Sequence, residues 1–182
     1  STYAGDGTTA VLNSPRNLAI APNGTIYVSE SLTNYVRKVV NGTVSPFAGV
    51  GTSGSGGDNG PATSAGLYTP QGLVVQPDGS VLIADSNNKK IRRVDTNGMI
   101  TTWRTIDYPY ELAYNSDGIL YVATDYGVFW DTGSGFQQIA GDGTYPWGFD
   151  GDSGSASNAK FQYIRGLAVA AESGELPAAV HG

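Results

Sequence analysis

The sequence predicts an all-β chain assembled from repeated four-stranded antiparallel blades, and three observations carry that prediction. Gly is abundant, at 26 of 182 residues, Tyr outnumbers Phe by 11 to 5, and β-branched residues dominate the apolar runs. That balance favours short strands joined by tight turns. Helical periodicity is hard to find, because no window of a dozen residues keeps apolar groups at i, i+3, i+4 and i+7 without Gly or Pro. Finally, one hairpin-like unit recurs along the chain.

The units are PRNLAIAPNGTIYVSE from Pro15, PQGLVVQPDGSVLIAD from Pro70, PYELAYNSDGILYVAT from Pro109 and YIRGLAVAAESGEL from Tyr163. Each reads as an apolar strand, a two-residue Asn-Gly, Asp-Gly or Ser-Gly turn, and a second apolar strand, which is a strong short-range hairpin signal. Leu18, Leu73, Leu112 and Leu167 mark the repeat at steps of 55, 39 and 55 residues. After the hairpin, SESLTNYVRKV parallels ADSNNKKIRRV, whereas ATDYGVFW in the third unit is shorter by about three turn residues. A further turn (Asn41-Gly42, Asn97-Gly98, Gly133-Ser134-Gly135) leads to the fourth strands TVSPFAG, MITTWRT and FQQIAG. Four strands repeated at such intervals describe the blades of a β-propeller.

The run AGVGTSGSGGDNGPATSAGLYTPQGL, followed by PDGSVLIADSNNKKIRRV, resembles the NHL-repeat propeller family. Residues 45–94 match its pattern nearly position for position, and residues 1–48 and 136–170 match more loosely. The Asn-His-Leu tripeptide that names the family stands here as Asn88-Lys89-Lys90-Ile91, without the histidine. The resemblance implies a ring of about six blades. On that reading residues 1–182 are a single propeller segment, with blades near 15–49, 70–106 and 109–141 and an incomplete one at 163–182. Residues 1–5 would supply the outer strand of a preceding or closing blade. Roughly three and a half blades do not close a ring, so the expectation is an incomplete ring, part of a longer protein.

The expected function is a non-enzymatic, rigid scaffold for interaction or assembly, binding a protein or glycan partner and secreted or held at the cell surface. Three other readings stand beside it. One is a propeller hydrolase or lyase with a divalent metal in the central channel. Another is a propeller that binds single-stranded RNA, as some members of the family do. The last is a structural subunit that self-associates through open propeller ends. The net charge of −6 repels phosphate backbones and argues against nucleic acid. With no cysteine there is no disulfide, no thiol nucleophile and no Cys-ligated metal. No stretch approaches 18 apolar residues, so no membrane insertion is expected.

Gly49-Val50-Gly51-Thr52-Ser53-Gly54 spells G-x-G-x-x-G. A dinucleotide loop needs a helix after its glycines. Gly60-Pro61, Gly66 and Pro70 leave room for one helical turn at most, so the run is expected to carry the chain from one blade to the next. Asp58, Asp142, Asp150 and Asp152 lie in such crossings. Asp150-Gly151-Asp152-Ser153-Gly154 resembles part of a calcium loop but lacks the terminal Glu of the full pattern. Asp150 and Asp152 are therefore the calcium candidates, and no other cofactor is expected.

Glu30, Asp85 and Thr124 share one position at the end of the second strand of each blade. Carboxylates there could ring a channel metal, or could accept turn amides at an IAD-S-N corner. The sole histidine, His181, lies in a segment that leaves the repeat, and no catalytic triad can be built from it. Lys89, Lys90, Arg92 and Arg93, with Arg37 and Lys38, form the RNA candidate, a patch halved by strand alternation. Aromatics concentrate in the second half: Tyr108, Tyr110, Tyr126, Trp130, Tyr145, Trp147, Phe149 and Tyr163. Tyr145, Trp147, Phe149, Tyr126 and Trp130 are the expected contacts to a protein or glycan, with packing between blades as the alternative. Asn23 and Asn41 each begin an Asn-Gly-Thr glycosylation sequon.

Overall fold

In the computed structural model the described residues are 12–142, 154–161 and 164–168. The chain divides into two compact units, Ser1–Thr105 and Ile106–Gly182.

In the first unit β1 (Pro15–Ile20), β2 (Ile26–Glu30), β3 (Tyr35–Val40) and β4 (Thr43–Ala48) form one antiparallel sheet in chain order. A connector that contains β5 (Gly60–Pro61) leads to β6 (Pro70–Val75), β7 (Val81–Asp85), β8 (Lys90–Val94) and β9 (Met99–Thr105). This second blade has the order β5-β9-β8-β7-β6, because β5 turns back to pair with β9 through Gly60–Ile100 and Pro61–Met99. The connector thereby covers part of an outer strand edge that would otherwise present unpaired backbone groups. In the second unit β10 (Pro109–Tyr114), β11 (Leu120–Thr124), β12 (Val128–Asp131) and β13 (Phe136–Ala140) form the third blade. Four-stranded antiparallel blades of a β-propeller are what the repeat predicts.

The first hairpin loop of each blade is one residue longer than expected. In the first blade the Ala21 amide donates to the Thr25 carbonyl at 2.8 Å and the Gly24 amide to the Ala21 carbonyl at 2.9 Å. The same pair recurs as Gln76–Ser80 with Gly79–Gln76, and as Asn115–Ile119 with Gly118–Asn115. The loops are therefore Pro22-Asn23-Gly24, Pro77-Asp78-Gly79 and Ser116-Asp117-Gly118, and only the glycines have positive φ, at 82°, 85° and 77°. A turn closed by a left-handed glycine fits three residues, whereas a two-residue turn would require positive φ at both. Asn41-Gly42 does meet that requirement, with φ of 49° and 80°.

Two register shifts recur in the blades. One lies at the start of the inner strand, at Pro15/Leu18, Pro70/Leu73 and Pro109/Glu111. The other lies in the outer pair, at Val36/Arg37, Ile91/Arg92 and Val128/Phe129. A bulge sharpens the local twist and re-aims the side chain beside it. In the outer pairs that side chain is Arg37, Arg92 or Phe129.

The core of the first unit lies between its two sheets. Ala19, Val36 and Ala48, with Tyr27 and Phe47, pack against Leu73, Val81, Ile83, Val94 and Ile100, closed by Ala62, Ala65 and Leu67 of the connector. Burying each large aliphatic side chain contributes roughly 1.5–3 kcal/mol. In the second unit Ala123, Val128 and Ala140 pack against Phe161, Ile164 and Leu167. The Gly141 amide there donates to the Ala156 carbonyl at 2.9 Å, as the Gly49 amide donates to Ala62 at 3.0 Å. The two connectors thus begin in the same way.

Candidate functional site

The corner carboxylates are built into the protein interior. Glu30 and Asp85 are completely buried at the end of the second strand. Glu30 accepts the Asn13 amide at 2.8 Å through Oε1, and the Thr33 hydroxyl at 2.9 Å and Arg37 Nε at 3.0 Å through Oε2. Asp85 accepts the Tyr68 amide at 2.7 Å through Oδ1, and Asn88 Nδ2 at 2.8 Å and Arg92 Nη1 at 3.4 Å through Oδ2. Every partner of Asp85 lies 55 residues beyond its counterpart around Glu30. Burial pushes the Asp85 carboxyl up, against the opposing pull of Asn88, the Tyr68 amide and Arg92.

Arg92, also completely buried, gathers the glycine-rich connector. Its guanidinium donates to the carbonyls of Gly66 at 3.2 Å and Gly56 at 3.5 Å, and to Asp58 Oδ1 at 2.8 Å. Asn88 Nδ2 reaches the Gly54 carbonyl at 2.6 Å and Lys90 Nζ the Ser55 carbonyl at 3.1 Å. Asp58 also accepts the Thr102 hydroxyl at 2.7 Å. Burial alone would raise its carboxyl, but the Thr102 hydroxyl and the Arg92 guanidinium outweigh it and hold it low. The only helical element after the glycines and before β6 is a single 3₁₀ turn, Ala62–Ser64. The run is therefore a blade crossing wrapped over an arginine.

The basic residues singled out for RNA are largely committed as well. Arg93 pairs with Asp78 at 2.7 Å, and Arg37 bonds Glu30 while lying 4.0 Å from the centre of the Tyr35 ring. Among the described residues, no three His, Asp or Glu side chains gather to hold a metal.

The third blade departs from this scheme. Thr124 stands where Glu30 and Asp85 stand, and Phe129, opposite Val122 as Arg92 is opposite Ile83, replaces the arginine. Acid and base are lost together. The Thr124 hydroxyl donates to the Gly127 carbonyl at 3.2 Å and accepts the Tyr126 amide at 3.1 Å, closing a tighter corner. Beside it Asp125 is partly exposed, yet its Oδ1 is buried with no hydrogen-bond partner among the described residues. The Tyr110 hydroxyl bonds to this carboxylate, which burial nonetheless raises above the usual range. Tyr108 and Tyr126 meet edge to face, with ring centres 6.3 Å apart and planes at 62°.

Of the predicted contacts, Tyr126 therefore lies at this corner, while Trp130 sits in β12 with its Nε1 donating to Gln137 Oε1 at 3.2 Å. Tyr145, Trp147, Phe149, Asp150, Asp152, Tyr163 and His181 lie outside the described residues. Asn23 and Asn41 are exposed at hairpin tips of the first blade, and Asn23 Oδ1 accepts the Thr25 amide at 3.0 Å. Sequence reasoning missed Asp125. The signal was available, since the third unit is the one that abandons both the acid and the arginine.

The Teneurin NHL domain family matches residues 39–108, the stretch from β3 to β9 that holds the Arg92 network. Over that stretch the repeat is of the NHL type. Teneurin-1 of Mus musculus is 28% identical to this chain over 174 residues, covering 86% of the chain and 6% of the relative. Protein SUPPRESSOR OF QUENCHING 1, chloroplastic, of Arabidopsis thaliana is 31% identical over 93 residues, covering 51% and 9%. The chain thus spans under a tenth of the length of either relative. A crystal structure of catalytically inactive virginiamycin B lyase from Staphylococcus aureus with quinupristin superposes with a TM-score of 0.54. That superposition covers 76% of this chain and 46% of the lyase at 16% identity, a likeness of fold.

Proposed function

We propose that the NHL chain is a non-enzymatic propeller scaffold that presents a protein-binding surface outside the cytoplasm. The observation that carries this reading is the internal commitment of its chemistry-bearing groups. Glu30 bonds Arg37, and Asp85 and Asp58 bond Arg92, with backbone groups completing both sets, whereas the third blade turns several tyrosines towards a corner free of that network. A rigid sheet carrying loop aromatics suits recognition. The match to the Teneurin NHL domain family supports the scaffold reading. Exposure of both sequon asparagines is compatible with passage through a secretory route, where Asn23 and Asn41 would carry glycans.

The test is binding of the purified chain to arrays of secreted proteins and of glycans, with Tyr126→Ala and Trp130→Ala in parallel. Saturable binding to a protein, weakened at least about tenfold (1.4 kcal/mol) by one of these changes, supports the reading. Binding confined to glycans would move the partner class to sugars. Asp150 and Asp152 provide the metal check. If millimolar calcium raised the melting temperature and supported turnover of a lactone or cyclic ester, the hydrolase or lyase reading would replace this one.

A further inference from the structure

We propose that the corner of the third blade formed by Tyr108, Tyr110, Asp125 and Tyr126 is a binding site for a cationic side chain, an arginine or lysine presented by a partner protein. This rests on the scaffold reading and names the chemistry of the partner.

Comparison of the blades makes the corner stand out. The residue after the corner position is Ser31 in the first blade and Ser86 in the second, but Asp125 in the third. Ser31 Oγ donates to the Pro70 carbonyl at 2.9 Å, a bond that a carboxylate cannot make. The residue before the inner-strand proline is Ser14, then Thr69, then Tyr108. The residue after that proline is Arg16, then Gln71, then Tyr110, and the first two bond each other at 3.0 Å. Serines, a threonine, an arginine and a glutamine in the first two blades thus give way to two tyrosines and an acid in the third.

That acid is left incomplete. Asp125 Oδ1 has no partner among the described residues, and Phe129 fills the place from which an arginine reaches the corner acid of the second blade. A partly buried carboxylate with an unmatched oxygen destabilises the fold unless something else completes it. The first blade shows what completes such a set. Arg37 bonds the Glu30 carboxylate at 3.0 Å and lies 4.0 Å from the Tyr35 ring centre, so acid, guanidinium and tyrosine form one arrangement. The third blade instead sets an acid, Asp125, one residue past that corner among tyrosines, with Phe129 at the position the arginine holds elsewhere. A guanidinium or ammonium satisfies both the carboxylate and the negative ring faces. A net charge of −6 adds a long-range attraction for a basic partner.

The probes are N-acetyl-arginine amide and N-acetyl-lysine amide, with N-acetyl-norleucine amide as the uncharged control, titrated into the whole chain and followed by backbone amide NMR. Saturable shifts confined to residues 108–111 and 124–127, from the arginine probe above all, are expected. Asp125→Asn should weaken them at least tenfold while leaving resonances elsewhere in place. Tyr126→Leu, which keeps the charge, should weaken them several-fold. Absence of saturable shifts, an equal response to norleucine amide, or full binding by Asp125→Asn would overturn the assignment. If an identified protein partner bound wild type and Asp125→Asn alike, this inference would fall and the scaffold reading would stand. An arginine response without any protein partner would do the reverse.

Discussion

Arg37 and Arg92 occupy the same position in successive blades but differ in exposure, 24% against 0% for the side chain, and this decides what each contributes. Removing Arg92 leaves Asp85 buried with no countercharge and strips Asp58 and two connector carbonyls of a donor. Arg92→Met should cost about 3 kcal/mol in urea unfolding, the range for breaking a buried pair. Adding Asp85→Asn to it should recover part of that loss, because the uncompensated charge goes too. Asp78 makes a separate prediction. The Ser80 hydroxyl at 2.6 Å, the Ser80 amide at 2.9 Å and Arg93 at 2.7 Å pull its carboxyl down from 3.8 to about 2. A depressed carboxyl stabilises the fold above its unfolded value, and that stability drains as pH falls from about 4 towards 2. Asp78→Asn should flatten this part of the melting-temperature profile, modestly, since the pair is exposed. Asp125 has the opposite sign. Its carboxyl is raised from 3.8, among the titratable Tyr108, Tyr110 and Tyr126, so the charged form penalises the fold at neutral pH. Asp125→Asn should therefore melt higher than wild type at pH 7, with the gap closing below about pH 4, where both side chains are neutral. An acid with a merely structural role would give the reverse.

At the scale of elements, the glycine connector shows why some glycines matter and others do not. A Cβ on Gly66 would stand 2.7 Å from the Gly54 carbonyl carbon, backbone against backbone, where the strands of the crossing touch at the Ser53–Leu67 bridge. Gly24, at a hairpin tip, has open space around it and is needed for its φ of 82° alone. Gly66→Ala should cost about 2–3 kcal/mol through overpacking, and Gly24→Ala about 1 kcal/mol from the left-handed backbone. Denaturant midpoints of the two variants would separate close approach from turn geometry. The blades and their turns were legible in the sequence because alternation and Asn-Gly or Asp-Gly pairs are local signals. The extra residue of the first loop was not, since Pro22 and Pro77 read equally well as strand ends. The Arg92 network was illegible for a different reason. Its partners Gly56, Asp58 and Asp85 are up to 36 residues away, and no periodicity announces a buried arginine. Its one trace was the 55-residue echo of Glu30 and Arg37 in Asp85 and Arg92.

At the largest scale, the first unit records what a blade face looks like covered and uncovered. Leu73 of the second blade is 4% exposed because Ala19, Val36 and Phe47 of the first blade lie within the same core. The equivalent first-blade residue, Leu18, is 59% exposed, and Ile20 two positions on is 61% exposed. Adjacent large aliphatics on an inner strand form a surface that gains from being buried, at roughly 25 cal/mol per Å² removed from water. Between like chains each carrying a charge of −6, that gain works against mutual repulsion. Added salt screens the repulsion and leaves the apolar term intact. The chain should therefore associate weakly at low ionic strength and more strongly as salt is raised, in sedimentation velocity at fixed protein concentration. Leu18→Glu with Ile20→Glu should abolish the salt-promoted species, because the change places charge on the uncovered face without touching the core behind it. A chain that sediments as a monomer at every ionic strength would show that this face gains nothing from another copy, and would remove self-association from its uses.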